Sequence, residues 1–109
     1  MKKIAYIISK NGSGEFIQES ILASIAEGNH GGEILALYFT EEGVYHLVKG
    51  SRRAKEIGIA MDMQGVKVIA SKQSIKDRKL QNMIIPGIDL GTYEQFFEVA
   101  QEADHVISV

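Results

Sequence analysis

Short aliphatic runs alternate with segments of helical spacing along this chain, and few folds can absorb that alternation. The runs are residues 4–9, 33–39, 66–70, 83–90 and 104–109. Those at 4–9, 33–39 and 66–70 are too short for buried helices. They are also too continuously apolar for a sheet with one wet face, so they read as buried parallel strands. Residues 15–27 set Ile17, Ile21, Ser24 and Ile25 at three- and four-residue spacing, with Leu22 broadening the stripe. Residues 51–64 align Ala54, Ile57, Met61 and Gln64, with Ala60 and Met63 at the flanks. A helix after Thr92 turns Tyr93, Phe96, Phe97 and Ala100 inward. Strand, helix and strand in succession give parallel neighbours with a right-handed crossover. The expected fold class is therefore α/β: a three-layer α/β/α sandwich around a mostly parallel sheet of about five strands. At 109 residues, the chain 1–109 fits one domain.

Punctuation supports these boundaries. Gly28 and Gly65 are placed to end helices. Thr40 can cap a short helix with Glu41 and Glu42 in its first turn. Ser71 or Ser74 can cap the polar helix that follows 66–70, and Ser74 with Asp77 has capping-box spacing. Gly58, inside a helix, predicts close packing. Pro86 restricts 83–90 to a short edge strand.

The chemistry is bounded mostly by what the chain lacks. It has no cysteine, which excludes disulfides, thiolate catalysis, persulfide transfer and cysteine-ligated metal. A net charge of −2 with interspersed signs argues against nucleic acid as a partner. The N-terminal apolar run is shorter than a signal peptide requires. No stretch approaches a membrane span. The expected location is the cytoplasm, with no membrane partner.

Candidate site residues collect where strands end, because ligands in open α/β sheets bind beyond the carboxyl ends of the strands. Ser71, Lys72, Gln73 and Ser74 combine hydroxyls, amides and a positive charge at a helix start, a set suited to an anion. Asn11, Gly12 and Ser13 form a glycine-rich turn that faintly resembles a phosphate loop but lacks its lysine and spacing. His46 is the histidine expected near the cleft, and Ser71 with His46 is the candidate nucleophile and base. No Gly-x-Ser-x-Gly elbow surrounds Ser71. His30, His46 and His105 show no metal spacing, His30 and His105 are expected at the surface, and neither a metal nor another cofactor is expected. Arg52, Arg53 and Lys55 read as a solvated helix face.

The stretch from Gly65 to Ala70, one further residue and then a short polar helix resembles the central motif of the DsrE/DsrF-like family of sulfur-relay proteins. Gly43-Val44 followed by Lys49-Gly50 is similar to a second pattern of that family. Pro86-Gly87-Ile88, a helix and then residues 103–108 resemble its C-terminal third. The resemblance covers nearly the whole chain. It implies that Gly43, Val44, Glu41, Glu42, Tyr45 and His46 lie beside the strand-end loop. It also implies that the residue after Ala70 is the place of a persulfide-carrying cysteine, which here is Ser71.

The resemblance further implies a trimer or hexamer, either a homo-oligomer or a hetero-oligomer with a cysteine-bearing subunit. The expected function is a cysteine-less, non-catalytic subunit or a small-ligand or anion-binding accessory in sulfur or selenium metabolism. Two alternatives stand beside it. One is a small enzyme using Ser71, His46 or a glutamate for acid–base chemistry. The other is a nucleotide or anion sensor using residues 11–14.

Overall fold

A computed structural model describes residues 2–10, 16–28 and 31–109. The elements in chain order are β1 (Lys3–Ile8), α1 (Phe16–Glu27), β2 (Glu33–Phe39), a 3₁₀ helix (Glu41–Leu47), α2 (Arg52–Gln64), β3 (Lys67–Ser71), α3 (Lys72–Asp77), β4 (Asp89–Gly91), α4 (Tyr93–Ala100) and β5 (His105–Ser108). The sheet order is β4-β3-β2-β1-β5, and each of these four pairings is parallel. This is the expected α/β/α sandwich on five strands. Helices are required between parallel strands because a tight hairpin cannot return the chain to the same end of the sheet.

Strand alternation divides the core into two clusters. Tyr6, Ile8, Leu37, Phe39, Val68 and Ala70 face α1, α2 and the 3₁₀ helix. Ala5, Ala36, Tyr38 and Ile69 face Phe96 and Ala100 of α4. One side of the sheet is thus thickly covered, and the other is covered by a single two-turn helix. A fully buried Ile, Leu or Phe stabilises by roughly 1.5–3 kcal/mol, so the thick side supplies most of the apolar driving force.

Helix ends follow the expected chemistry in several places. Ser51 Oγ accepts from Ala54 N and starts α2. Gly65 ends α2 in the left-handed region at φ 66°, where a Cβ is disfavoured. Thr92 forms a capping box with Gln95 at the start of α4.

Several expectations are corrected. Tyr93 and Phe97 do not turn inward; they are 46% and 49% exposed. Among the described residues no second helix lies beside α4, so Phe96 and Ala100 are buried against the sheet while Tyr93 and Phe97 keep about half their surface in solvent. Met63 on α2 is likewise exposed. Gly58 packs against nothing, because a Cβ placed there meets open space. Arg53 is not part of a solvated face: its side chain is largely buried and pairs with Glu56 at 2.7 Å. Arg52 and Lys55 are exposed, as expected. Ser74 and Asp77 form no capping box; Ser71 is the cap of α3, and Asp77 accepts from Gln73 Nε2. Ladder pairing in 83–90 is confined to the end of the run, in β4, with an isolated antiparallel bridge between Val48 and Ile84. Pro86 lies outside both, since it has no N–H for a ladder.

Candidate functional site

β3 runs into α3 with no intervening loop, so Ser71 is both the last strand residue and the helix cap. Its backbone is extended at φ −61°, ψ 114°, as a cap requires. Its Oγ accepts from Ser74 N at 3.1 Å, and the residue is buried. The hydroxyl at the strand end is therefore committed to one of the four otherwise unpaired amides of a helix start.

Ser74 is the second buried hydroxyl. Its Oγ accepts from Glu41 N at 3.0 Å and lies 3.4 Å from Thr40 Oγ1. Thr40 sits at the start of the 3₁₀ helix without making a side-chain cap there; its hydroxyl is turned to Ser74 instead. Glu41 has φ 51°, a conformation uncommon outside glycine, asparagine and aspartate. Ser74 thus holds the amide of the one residue that bends the chain from β2 into the 3₁₀ helix.

Arg78 closes the outside of this junction. It donates to Glu42 Oε1 at 3.0 Å and lies 3.8 Å from Glu41 Oε2. Its Nη1 donates to the Ser74 carbonyl at 3.4 Å. The hydrogen bond to Glu42 holds the guanidinium above its usual range. The Glu41 and Glu42 side chains are therefore turned to Arg78. Sequence reasoning did not single out Arg78. Its signal was its position four residues after Ser74, one helical turn on, where it reaches the carbonyl of that serine.

Gly43 and Val44 are buried. A Cβ on Gly43 would fall on the Ile8 carbonyl, which is rigid backbone of β1. Gly43 is thus required for the 3₁₀ helix to pass over the end of β1, and Val44 packs in the thick-side core. His46 is also buried; its Nε2 lies 2.9 Å from the Lys10 carbonyl. A carbonyl only accepts, so Nε2 carries the proton. Burial pushes the imidazole pKa down, the Lys10 bond opposes this, and Arg53 adds to the depression. Its ring meets Phe39 edge-on at 6.1 Å.

The structure brings Ser71, Ser74, Thr40, Glu41 and Arg78 together. Among the described residues no hydrogen bond joins His46 to Ser71. Lys72 and Gln73 are exposed on the first turn of α3, and His105 is exposed on β5. Tyr45 is half-buried in the 3₁₀ helix. Asn11, Gly12, Ser13 and His30 lie outside the described residues. Among the described residues, no group of three or more His, Asp or Glu could hold a metal ion. No helix among them is long and apolar enough to cross a membrane.

Comparison with known proteins places this geometry. The chain superposes on the crystal structure of the ychN protein from E. coli with a TM-score of 0.76 and 18% identity, covering 100% of both chains. It superposes on MTH1491, a protein of unknown function from Methanobacterium thermoautotrophicum, with a TM-score of 0.74 and 12% identity. That match covers 98% of this chain and 99% of the other. At such identities the likeness is one of fold. No curated protein matches the chain. The profile of the DsrE/DsrF-like family matches residues 2–109. With the fold and a full-length family match in agreement, the chain belongs to the DsrE/DsrF-like family.

Proposed function

We propose that this chain is a non-catalytic accessory subunit in the handling of sulfur, or of chemically similar selenium. In this reading it works in the cytoplasm as a homo-oligomer, a trimer or hexamer, or as a hetero-oligomer with a cysteine-bearing DsrE-like subunit. One observation carries the reading. Ser71 stands at the strand end where the family resemblance puts the sulfur carrier, and its oxygen is committed to Ser74 N. An alcohol at neutral pH is a poor nucleophile without a base and forms no persulfide. A thiol of low pKa on a partner would perform the transfer. Lys72 and Gln73, exposed on the first turn of α3, would then meet the anionic sulfur species or the partner's loop.

The test starts from untagged protein taken gently from its own cells. The expected result is co-purification with a cysteine-bearing homologue, together with failure of the chain itself to gain mass from a persulfide donor. A protein isolated alone that binds neither sulfide, thiosulfate nor sulfate in a thermal-shift assay sinks the reading. Ligand binding at a hundred times Kd would add about 2.7 kcal/mol of stability, which such an assay resolves.

A further inference from the structure

On the thin side of the sheet, α4 packs over Ala36, Tyr38 and Ile69, and the start of β3 and β4 reaches past its cover. A recess of about 300 Å³ lies in that gap. Its floor is the buried Ile69, and Val99 of α4 adds an apolar wall. Strand pairing sets Asp89 level with Ile69, and Lys67 stands two residues earlier on the same face. Gln95 and Glu98 border the recess from α4. Lys67, Asp89 and Glu98 are exposed, and none of them enters an ion pair among the described residues. One base and two acids thus surround an apolar floor without pairing. Gln95 is the fixed part of the border. Its Oε1 accepts from Thr92 N at 2.8 Å. Gly91 makes room for this, since a Cβ there would fall on the same Oε1. The amide is therefore held against β4, and its Nε2, a donor, has no partner among the described residues.

We propose that this recess binds a free aliphatic α-amino acid. The ligand carboxylate meets Lys67 and Gln95 Nε2, its ammonium lies between Asp89 and Glu98, and its side chain covers Ile69 and Val99. Charge decides the class. A ligand with only a carboxylate would meet Asp89 and Glu98 as like charges, and one with only an ammonium would meet Lys67. A zwitterion matches both signs, and its singly charged analogues are rejected by the group they leave unmatched. The volume lies at the small end of ligand sites, which suits one amino acid. A residue inside a peptide offers neither charge from its backbone. Ser71, at the other end of β3, is four residues or about 13 Å away. The recess is therefore separate from the junction of Ser71, Ser74 and Arg78.

The measurement is a titration of the ¹⁵N-labelled full chain with L-leucine, up to about 20 mM, read by amide chemical shifts. Exposed charges contribute little each, so the expected Kd is on the order of 1 mM. The expected result is saturating shifts at the start of β3, at β4 and at residues 95–99. N-acetyl-leucine lacks the ammonium and leucine methyl ester lacks the carboxylate; each should bind about tenfold more weakly or not at all. Glycine, with no side chain to cover the floor, should also bind about tenfold more weakly. Lys67→Met and Glu98→Gln keep their exposed stems and should each weaken leucine about fivefold. Unchanged shifts elsewhere in the spectrum confirm the fold of each variant. Absence of a saturating shift at these amides overturns the proposal. So does equal binding of the ester or the acetyl analogue, which would mean contact with one charge alone. Binding that ignores both substitutions overturns it too, because the ligand would then sit on another surface. None of these results bears on co-purification with a cysteine-bearing subunit.

Discussion

Two strand-to-helix junctions in this molecule are built alike and placed differently. β3 passes into α3 through Ser71, and β4 passes into α4 through Thr92. Each residue caps a helix by accepting from the amide three positions on, at 3.1 Å for Ser71 and 3.4 Å for Thr92. Thr92 is exposed, and its backbone N–H donates in return to Gln95 Oε1. Ser71 is buried, and the amide it caps belongs to Ser74, which is also buried. The comparison teaches that a hydroxyl at the strand end is a structural cap in both places. What distinguishes the first is its neighbour Ser74, whose hydroxyl reaches Glu41 N and Thr40 Oγ1 and ties α3 to the turn after β2.

Perturbations of the two junctions should follow that difference. The largest effect is expected at Gly43, which lets the 3₁₀ helix lie over the β1 end beside the first junction. Gly43→Ala sets a methyl group on the Ile8 carbonyl and should cost about 3 kcal/mol or prevent folding. Thermal melting should show a fall on the order of 12 °C.

Ser74→Ala removes the acceptor for Glu41 N and the neighbour of Thr40. Leaving these groups unsatisfied should cost about 2 kcal/mol, measured by urea denaturation. Ser71→Ala should cost about 1 kcal/mol and Thr92→Ala about half of that, because water can replace an exposed cap. A larger loss at Thr92 than at Ser71 would break the comparison.

The smallest effect is the pH dependence contributed by His46. Burial depresses its folded pKa below the unfolded value of about 6.5. Below that value the unfolded chain takes up a proton that the folded ring resists. Stability from this group is therefore complete above about pH 7 and declines as the pH falls through 6.5. His46→Gln should flatten this decline in melts at pH 7.0, 6.0 and 5.5. An unchanged slope would mean that the ring is protonated as easily in the folded state as in water.

The strands and their order of appearance were legible because buried parallel strands and amphipathic helices write different periods into a sequence. The end of α2 and the start of α4 were legible too, since Gly65 and Thr92 act through local backbone geometry. Tyr93 and Phe97 were misread because period alone assigns a face to a residue without saying how wide the cover over that face is. Gly58 and Arg53 were misread for the same reason: the neighbour that matters comes from the tertiary arrangement, open space in one case and Glu56 in the other.

The sequence by itself determined the α/β alternation, the family motifs and the loss of thiol chemistry, since an absent cysteine needs no structure to interpret. Only the tertiary structure decided that Ser71 is a closed cap, that Arg78 seals the junction and that His46 makes no bond to Ser71 among the described residues. Those facts depend on contacts between Glu41 and Ser74, Glu42 and Arg78, and Lys10 and His46, residues 33 to 36 positions apart in the chain. No local pattern encodes such meetings; the packing of a parallel sheet brings them about.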